Sequence, residues 1–241
     1  MDKQQVLFED MGLMPYQQAW DYQEQLLKEN VKEKSLSRQT GQDAEPGKVP
    51  TKHHLIFCEH NPVYTLGKTG KMAHLLMNED ALEKAGIEFY HTNRGGDITF
   101  HGPGQVVGYP IFDLEKFETD IGKYLRNLEE VIIDTLAYYH VAAERSKGET
   151  GVWIDVGKPG LERKICAMGV RCSLWITMHG FALNVNTDLG YFNNIIPCGI
   201  QYKQVTSLKK ELGHEVNLQE IKNQIKKSFE KVFSISLQEQ N

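Results

Sequence analysis

Apolar positions along this chain keep two different spacings, and the predicted elements change where the spacing changes. Across residues 16–34, Trp20, Leu26, Leu27 and Val31 fall near helical intervals and predict a helix. The next stretch, SLSRQTGQDAEPGKVP (residues 35–50), is polar and broken by Gly and Pro, which predicts a surface loop. LIFCEH (55–60) is a short apolar run expected to form a buried strand. Residues 79–85 suggest a short helix ended by Gly86, and residues 88–91 a strand. After a stretch dense in Gly, VVGYPIFDL (106–114) reads as another strand. Asp120 is placed to cap a helix whose apolar face is Ile121, Tyr124, Leu125, Leu128, Ile132 and Leu136. From Val152 the period becomes two: VWIDV, KICAMGV and FALNVN, separated by turns such as GKPG (157–160), predict an antiparallel meander. The tail over 217–233 is amphipathic, with Asn217 and Glu220 spaced as a capping box. The expectation is an α+β fold, a mixed β-sheet flanked by helices, forming one domain over residues 1–241.

Composition narrows the function. A chain of 241 residues buries roughly 70–75% of its unfolded surface and needs no disulfide or metal to hold it. A net charge of −5 argues against a nucleic-acid partner, which leaves a basic footprint. Four cysteines, Cys58, Cys166, Cys172 and Cys198, contain no CxxC pair and fit a reducing compartment. The first residues lack an apolar targeting core. No window approaches the roughly 18 apolar residues of a membrane span. A cytoplasmic protein with no membrane partner is expected.

Several cofactor patterns fail on counting. GKTGK (67–71) looks like the end of a phosphate-binding loop, but Pro62 stands where its first glycine belongs. Gly151 is one residue too far from Gly157–Lys158, and Pro159 replaces the magnesium-binding hydroxyl. No GxGxxG follows a strand. The nine histidines form no HExxH, and His53, His54 and His60 lack ligand spacing. Neither a metal nor a nucleotide cofactor is expected.

Three segments carry more chemistry than composition requires. RGGDITFHGPGQVVGYP (94–110) combines a glycine-rich backbone able to approach a ligand with the polar groups of Arg94, Thr99, His101 and Gln105. An irregular strand–loop–strand connection explains the same glycines equally well. In ERKICAMGVRC (162–172), Lys164 opens a strand-like run, a position that ordinarily holds a solvated charge. In NNIIPCGI (193–200), Cys198 lies between Pro197 and Gly199 on a constrained turn, unlike the usual buried, inert cysteine.

Together these segments resemble the lipoyl(octanoyl) transferase family. The match is Arg-Gly-Gly, two residues, Thr-aromatic-His, then Gly-Gln and Tyr109; Lys164 in a Lys-Ile-Cys-x-x-Gly run; and Cys198 in an Asn-Pro-Cys-Gly-like element with Ile196 in place of the Asn. EHNPVYTLGK (59–68) and HGFALNVNTDL (179–189) look like further family segments. The similarity covers about residues 55–208. It implies a fold similar to the biotin and lipoate protein ligases. It also implies octanoyl transfer, without a cofactor, from acyl carrier protein to lipoyl domains of 2-oxoacid dehydrogenases and the glycine-cleavage H protein. By the same match Cys198 is the nucleophile and Lys164 its partner. Arg94, Gly95, Gly96, Asp97, Ile98, Thr99, Phe100, His101, Ala167, Met168, Gly169, Gly180, Phe181 and Ala182 would line the acyl site. Two alternatives remain: an ATP-dependent lipoate or biotin ligase, which has no use for Cys198, and a non-catalytic lipoyl-domain or carrier-binding module. Period-two alternation also puts Cys166 on the same face as Lys164, which makes it a rival nucleophile.

Overall fold

The computed structural model describes residues 3–39, 48–196 and 204–240. In chain order its strands are β1 (Gln4–Met14), β2 (His53–His60), β3 (Val63–Leu66), β4 (Glu88–His91), β5 (Ile98–His101), β6 (Gln105–Ile111), β7 (Val152–Ile154), β8 (Arg163–Ser173), β9 (Ile176–Asn184), β10 (Gln204–Val205) and β11 (Ile235–Glu239). The helices are α1 (Tyr16–Gln39), α2 (Glu79–Ala85), α3 (Ile121–Tyr138), α4 (Leu208–Leu212) and α5 (Leu218–Phe233).

The main sheet runs β10-β8-β9-β6-β2-β1-β11, with β7 also on β8, and a smaller sheet runs β4-β3-β5. The β6–β9–β8 core is antiparallel, whereas β1 pairs parallel with both β2 and β11. The sheet is therefore mixed, as expected. Helices α3 and α5 cover one face through a core that includes Leu128, Ile132, Leu136, Ile221, Ile225 and Phe229, all fully buried. Helix α1 covers the other face through Ala19, Leu26 and Leu27, packed on Ile56, Val107 and Met178.

Helix starts follow local chemistry. Asp120 accepts from the Lys123 amide at 3.0 Å and Asn217 from the Gln219 amide at 2.8 Å, each cap worth about 1 kcal/mol. On α3, Tyr124, Leu128, Ile132 and Leu136 are buried, but Ile121 and Leu125 stay half-buried at its first turns.

Two expectations need correcting, and three strands were not foreseen. Residues 35–39 are not loop but the last turn of α1. Polar composition hid it, because this end of the helix is held by a buried cation. Lys34, 1% exposed, meets the Asp113 carboxylate at 2.5 Å and Glu115 at 3.0 Å. Residues 40–47 of that segment lie outside the described residues. The strand expected over 106–114 covers Gln105–Ile111 and gives way to a 3-10 turn at Leu114–Lys116, capped by Asp113. Strands β1, β10 and β11 had no local signal. The first and last of these are parallel partners at the sheet's far edge, and their pairing is wholly non-local.

Candidate active site

The loop of residues 94–97 is organised by Arg94, a side chain only 8% exposed. Its Nη2 donates to the Thr65 carbonyl at 2.6 Å, the Thr65 hydroxyl at 2.9 Å and the Asp97 carbonyl at 2.9 Å, and its Nη1 donates to the Gly95 carbonyl at 3.0 Å. Gly96 takes φ of 90°, a conformation L side chains rarely adopt. The loop lies along the open edge of β8, where the Gly95 amide donates to the Val170 carbonyl at 3.0 Å. Gly169 permits that approach, because a Cβ there would stand 2.6 Å from the Gly95 carbonyl oxygen.

Between this loop, β8, β9 and the start of α3 lies a cavity of about 730 Å³, within the range of small-molecule sites. Of the residues nominated from sequence, Lys164, Arg94, Gly95, Gly96, Asp97, Ile98, Thr99, His101, Ala167, Met168, Gly169, Gly180, Phe181 and Ala182 line it. Phe100 does not. Its ring packs into the small sheet's core, where it stacks on Tyr191 with ring centroids 4.5 Å apart. Cys198 lies outside the described residues. The chain on either side of it is described. The Ile196 amide donates to the His74 carbonyl at 2.8 Å, and on the far side Val205 pairs with Lys164 in β8. Both Phe192 and Val205 border the cavity.

A β-bulge decides what Lys164 faces. On β8, Cys166 is opposite Val152 while Lys164 is opposite Trp153, so Ile165 is an extra residue in the strand. Both Ile165 and Cys166 are buried in the core under α3. Lys164 turns the other way, with Nζ 4.5 Å from the centroid of the Trp153 ring, a cation–π contact. The alternation that placed Lys164 and Cys166 on one face therefore breaks between them. Burial pushes the Cys166 thiol well above its ordinary range, and does the same to Cys58. Both are inert thiols by environment.

Beneath the cavity runs a polar relay. Gln105 donates through Nε2 to Asn184 Oδ1 at 2.9 Å and to the Phe100 carbonyl at 3.1 Å, so its Oε1 faces His101 and accepts from Nδ1–H at 2.8 Å. The His101 Nε2 then accepts from the Thr65 hydroxyl at 3.4 Å, and Asn184 donates onward to the Thr206 carbonyl at 3.0 Å. The Thr206 amide in turn donates to the Lys164 carbonyl at 2.9 Å. Burial, then the neighbouring His60 and Arg94, push the His101 pKa down to about 3. It is a neutral, orienting group at physiological pH. His179, also pushed down to about 3 mainly by burial, stands at φ of 59° within β9. Its Nε2 donates to Asn93 Oδ1 at 2.7 Å, and Asn93 is itself oriented by Glu24 at 2.9 Å.

Sequence reasoning missed the walls supplied by Tyr16, His74, Val107, Ile121 and Leu125. Ile121 and Leu125 carried a helix-core signal and lie at the cavity because α3 begins beside it. Tyr16 and His74 carried none. Among the described residues no cluster of His, Cys, Asp and Glu is placed to hold a metal ion, and no helix is long and apolar enough to cross a membrane.

The mixed sheet flanked by helices is the fold of lipoate protein ligases. The bi-partite lipoate protein ligase of Thermoplasma acidophilum superposes with a TM-score of 0.67 at 19% identity, over 100% of this chain and 87% of that one. Residues 15–230 match the lipoyl protein ligase A/B catalytic domain, and the chain belongs to that family. Its relatives include the octanoyltransferase of Christiangramia forsetii, 54% identical over 98% of this chain and 99% of that protein. The octanoyltransferase of Flavobacterium psychrophilum is 55% identical over 96% of this chain and 98% of its own length.

Proposed function

We propose that this protein is a cytoplasmic octanoyltransferase acting in protein lipoylation. In this reading it takes an octanoyl group from the thioester of acyl carrier protein. It delivers the group to a lysine on the lipoyl domains of 2-oxoacid dehydrogenases and on the glycine-cleavage H protein. The observation that carries the reading is near-full-length identity to octanoyltransferases, in a chain whose cavity brings the 94–101 segment and Lys164 together.

The chemistry follows from a thiolate–ammonium pair. A cysteine with a pKa near about 8.5 is mostly protonated at neutral pH, and an adjacent lysine ammonium favours its thiolate. The Cys198 thiolate attacks the carrier thioester carbonyl and forms a new thioester. The carrier sulfur leaves, taking a proton from the Lys164 ammonium. The acceptor amine then attacks the acyl-enzyme, its proton passes to the now neutral Lys164, and the Cys198 thiolate departs. The thiolate–ammonium pair is restored, and thioester has become amide without ATP. Backbone amides near Gly169 and Gly180 are the oxyanion donors in this reading, each worth about 3–4 kcal/mol of barrier. An apolar slot for the alkyl chain contributes about 0.8 kcal/mol per methylene, so chain-length preference is graded.

The test is intact-protein mass spectrometry after mixing with octanoyl-acyl carrier protein. One octanoyl group on the Cys198 peptide, discharged by apo lipoyl domain without ATP, is the expected result. Product formed only from free octanoate and ATP would make the protein a ligase instead.

A further inference from the structure

His74 lies outside every segment singled out by sequence, on the 3-10 turn Met72–His74, yet it touches both halves of the candidate site. Its Nδ1–H donates to the Asp97 carboxylate at 2.5 Å, and both side chains border the cavity. Asp97 is itself fixed, because its other oxygen accepts from the Ile98 amide at 2.7 Å and its carbonyl accepts from Arg94 at 2.9 Å. On its backbone side, the His74 carbonyl accepts from the Ile196 amide at 2.8 Å. Leu75 bridges Ile195, and the Leu76 amide donates to the Asn194 carbonyl at 2.9 Å. Residues 74–76 thus act as a short strand holding residues 194–196, two positions before Cys198. The His74 side chain ties that strand to the loop lining the cavity, a few residues beyond the backbone bonds that Gly67, Lys68 and Thr69 donate to the Asp97, Arg94 and Gly96 carbonyls of the same loop.

We infer that His74 is a positioning residue for acyl transfer. Through Asp97 it sets the position of residues 194–196 against the cavity loop. The inference rests on the reading of Cys198 as nucleophile. Nothing about His74 requires it to touch the acyl group. Its effect comes from placing the attacking atom relative to a bound thioester, where a misplacement of about 1 Å costs on the order of a hundredfold in rate. An apolar substitute at 74 keeps the backbone carbonyl that holds Ile196 but releases the strand from Asp97.

The experiment measures the rate of octanoyl adduct formation from octanoyl-acyl carrier protein, at varied donor, by quench and intact mass. His74→Ala should lower the maximal acylation rate by roughly tenfold to a hundredfold with little change in donor KM. His74→Asn, which keeps an N–H donor within reach of Asp97, should recover most of the loss. In a double-mutant cycle, His74→Ala with Asp97→Ala should be no slower than Asp97→Ala alone, because both remove one contact. Three results overturn the inference while leaving the proposed function standing. They are adduct formation at the wild-type rate in His74→Ala, additive losses in the cycle, and parallel losses of donor affinity and thermal stability that Asn does not rescue. Absence of any adduct on Cys198 in the wild-type protein overturns both.

Discussion

Gly169→Ala is the sharpest test of how the cavity is built. The added Cβ would lie 2.6 Å from the Gly95 carbonyl oxygen and 3.3 Å from Arg94 Cδ. The first of these is backbone and cannot rotate away, so the 94–97 loop must lift off β8 and its Gly95–Val170 hydrogen bond is lost. Overpacking costs about 1–3 kcal/mol and the hydrogen bond about 1 kcal/mol, together about 2–4 kcal/mol. For a chain of this size each kcal/mol lowers Tm by about 2–4 °C, which predicts a fall of roughly 4–16 °C. Gly95→Ala is the matched control: it lies in the same loop, but its Cβ would meet only the Val170 carbonyl, at an ordinary 3.4 Å. Thermal melts of both variants, with octanoyl transfer measured on each, decide the matter. Gly169→Ala should melt well below Gly95→Ala and lose transfer disproportionately, because Arg94 moves with the loop. Equal melting temperatures would refute the close-packed loop as the reason for glycine at 169.

Lys164→Ala should reduce transfer by about a hundredfold or more, the usual scale of a lost acid–base group. Lys164→Arg should not restore it, since guanidinium does not release its proton; wild-type turnover in either variant removes Lys164 from the mechanism. Native protein treated with iodoacetamide at neutral pH should leave Cys58 and Cys166 unlabelled, because both are fully buried with thiols pushed up by burial. Cys166→Ala should retain transfer while Cys198→Ala forms no adduct, and an octanoyl group mapped to Cys166 would reverse the assignment. Stability should fall as pH drops below about 6.5, where unfolded histidines take up protons. His60, His101 and His179 in the native state stay neutral until about pH 4, 3 and 3. Each contributes a slope of up to about 1.4 kcal/mol per pH unit, so chemical denaturation of His101→Gln between pH 6.5 and 5 should show a shallower dependence than wild type. An unchanged slope would show that His101 is not held neutral.

Local chemistry made α2, α3 and α5 legible from residues alone, because their start and stop signals lie within a few positions of one another: Gly86 after α2, Asp120 before α3, Asn217 before α5. The β7–β8–β9 meander was legible for the same reason, since period-two runs separated by turns pair with their neighbours. The glycine-rich 94–110 segment and the run at Lys164 could be nominated because their residue types are unusual together. Tertiary structure decided what each nominated side chain faces. One extra residue at Ile165 sends Lys164 and Cys166 to opposite sides of β8, and a bulge of this kind appears only once β7 sets the register. Stacking on Tyr191 in the small sheet's core takes Phe100 out of the cavity that its neighbours Thr99 and His101 line. The roles of Lys34, His74 and Gln105 depend on partners up to 140 residues away, such as Leu174 for Lys34. A single buried contact between distant residues leaves no periodic trace in sequence, so folding alone assigns it.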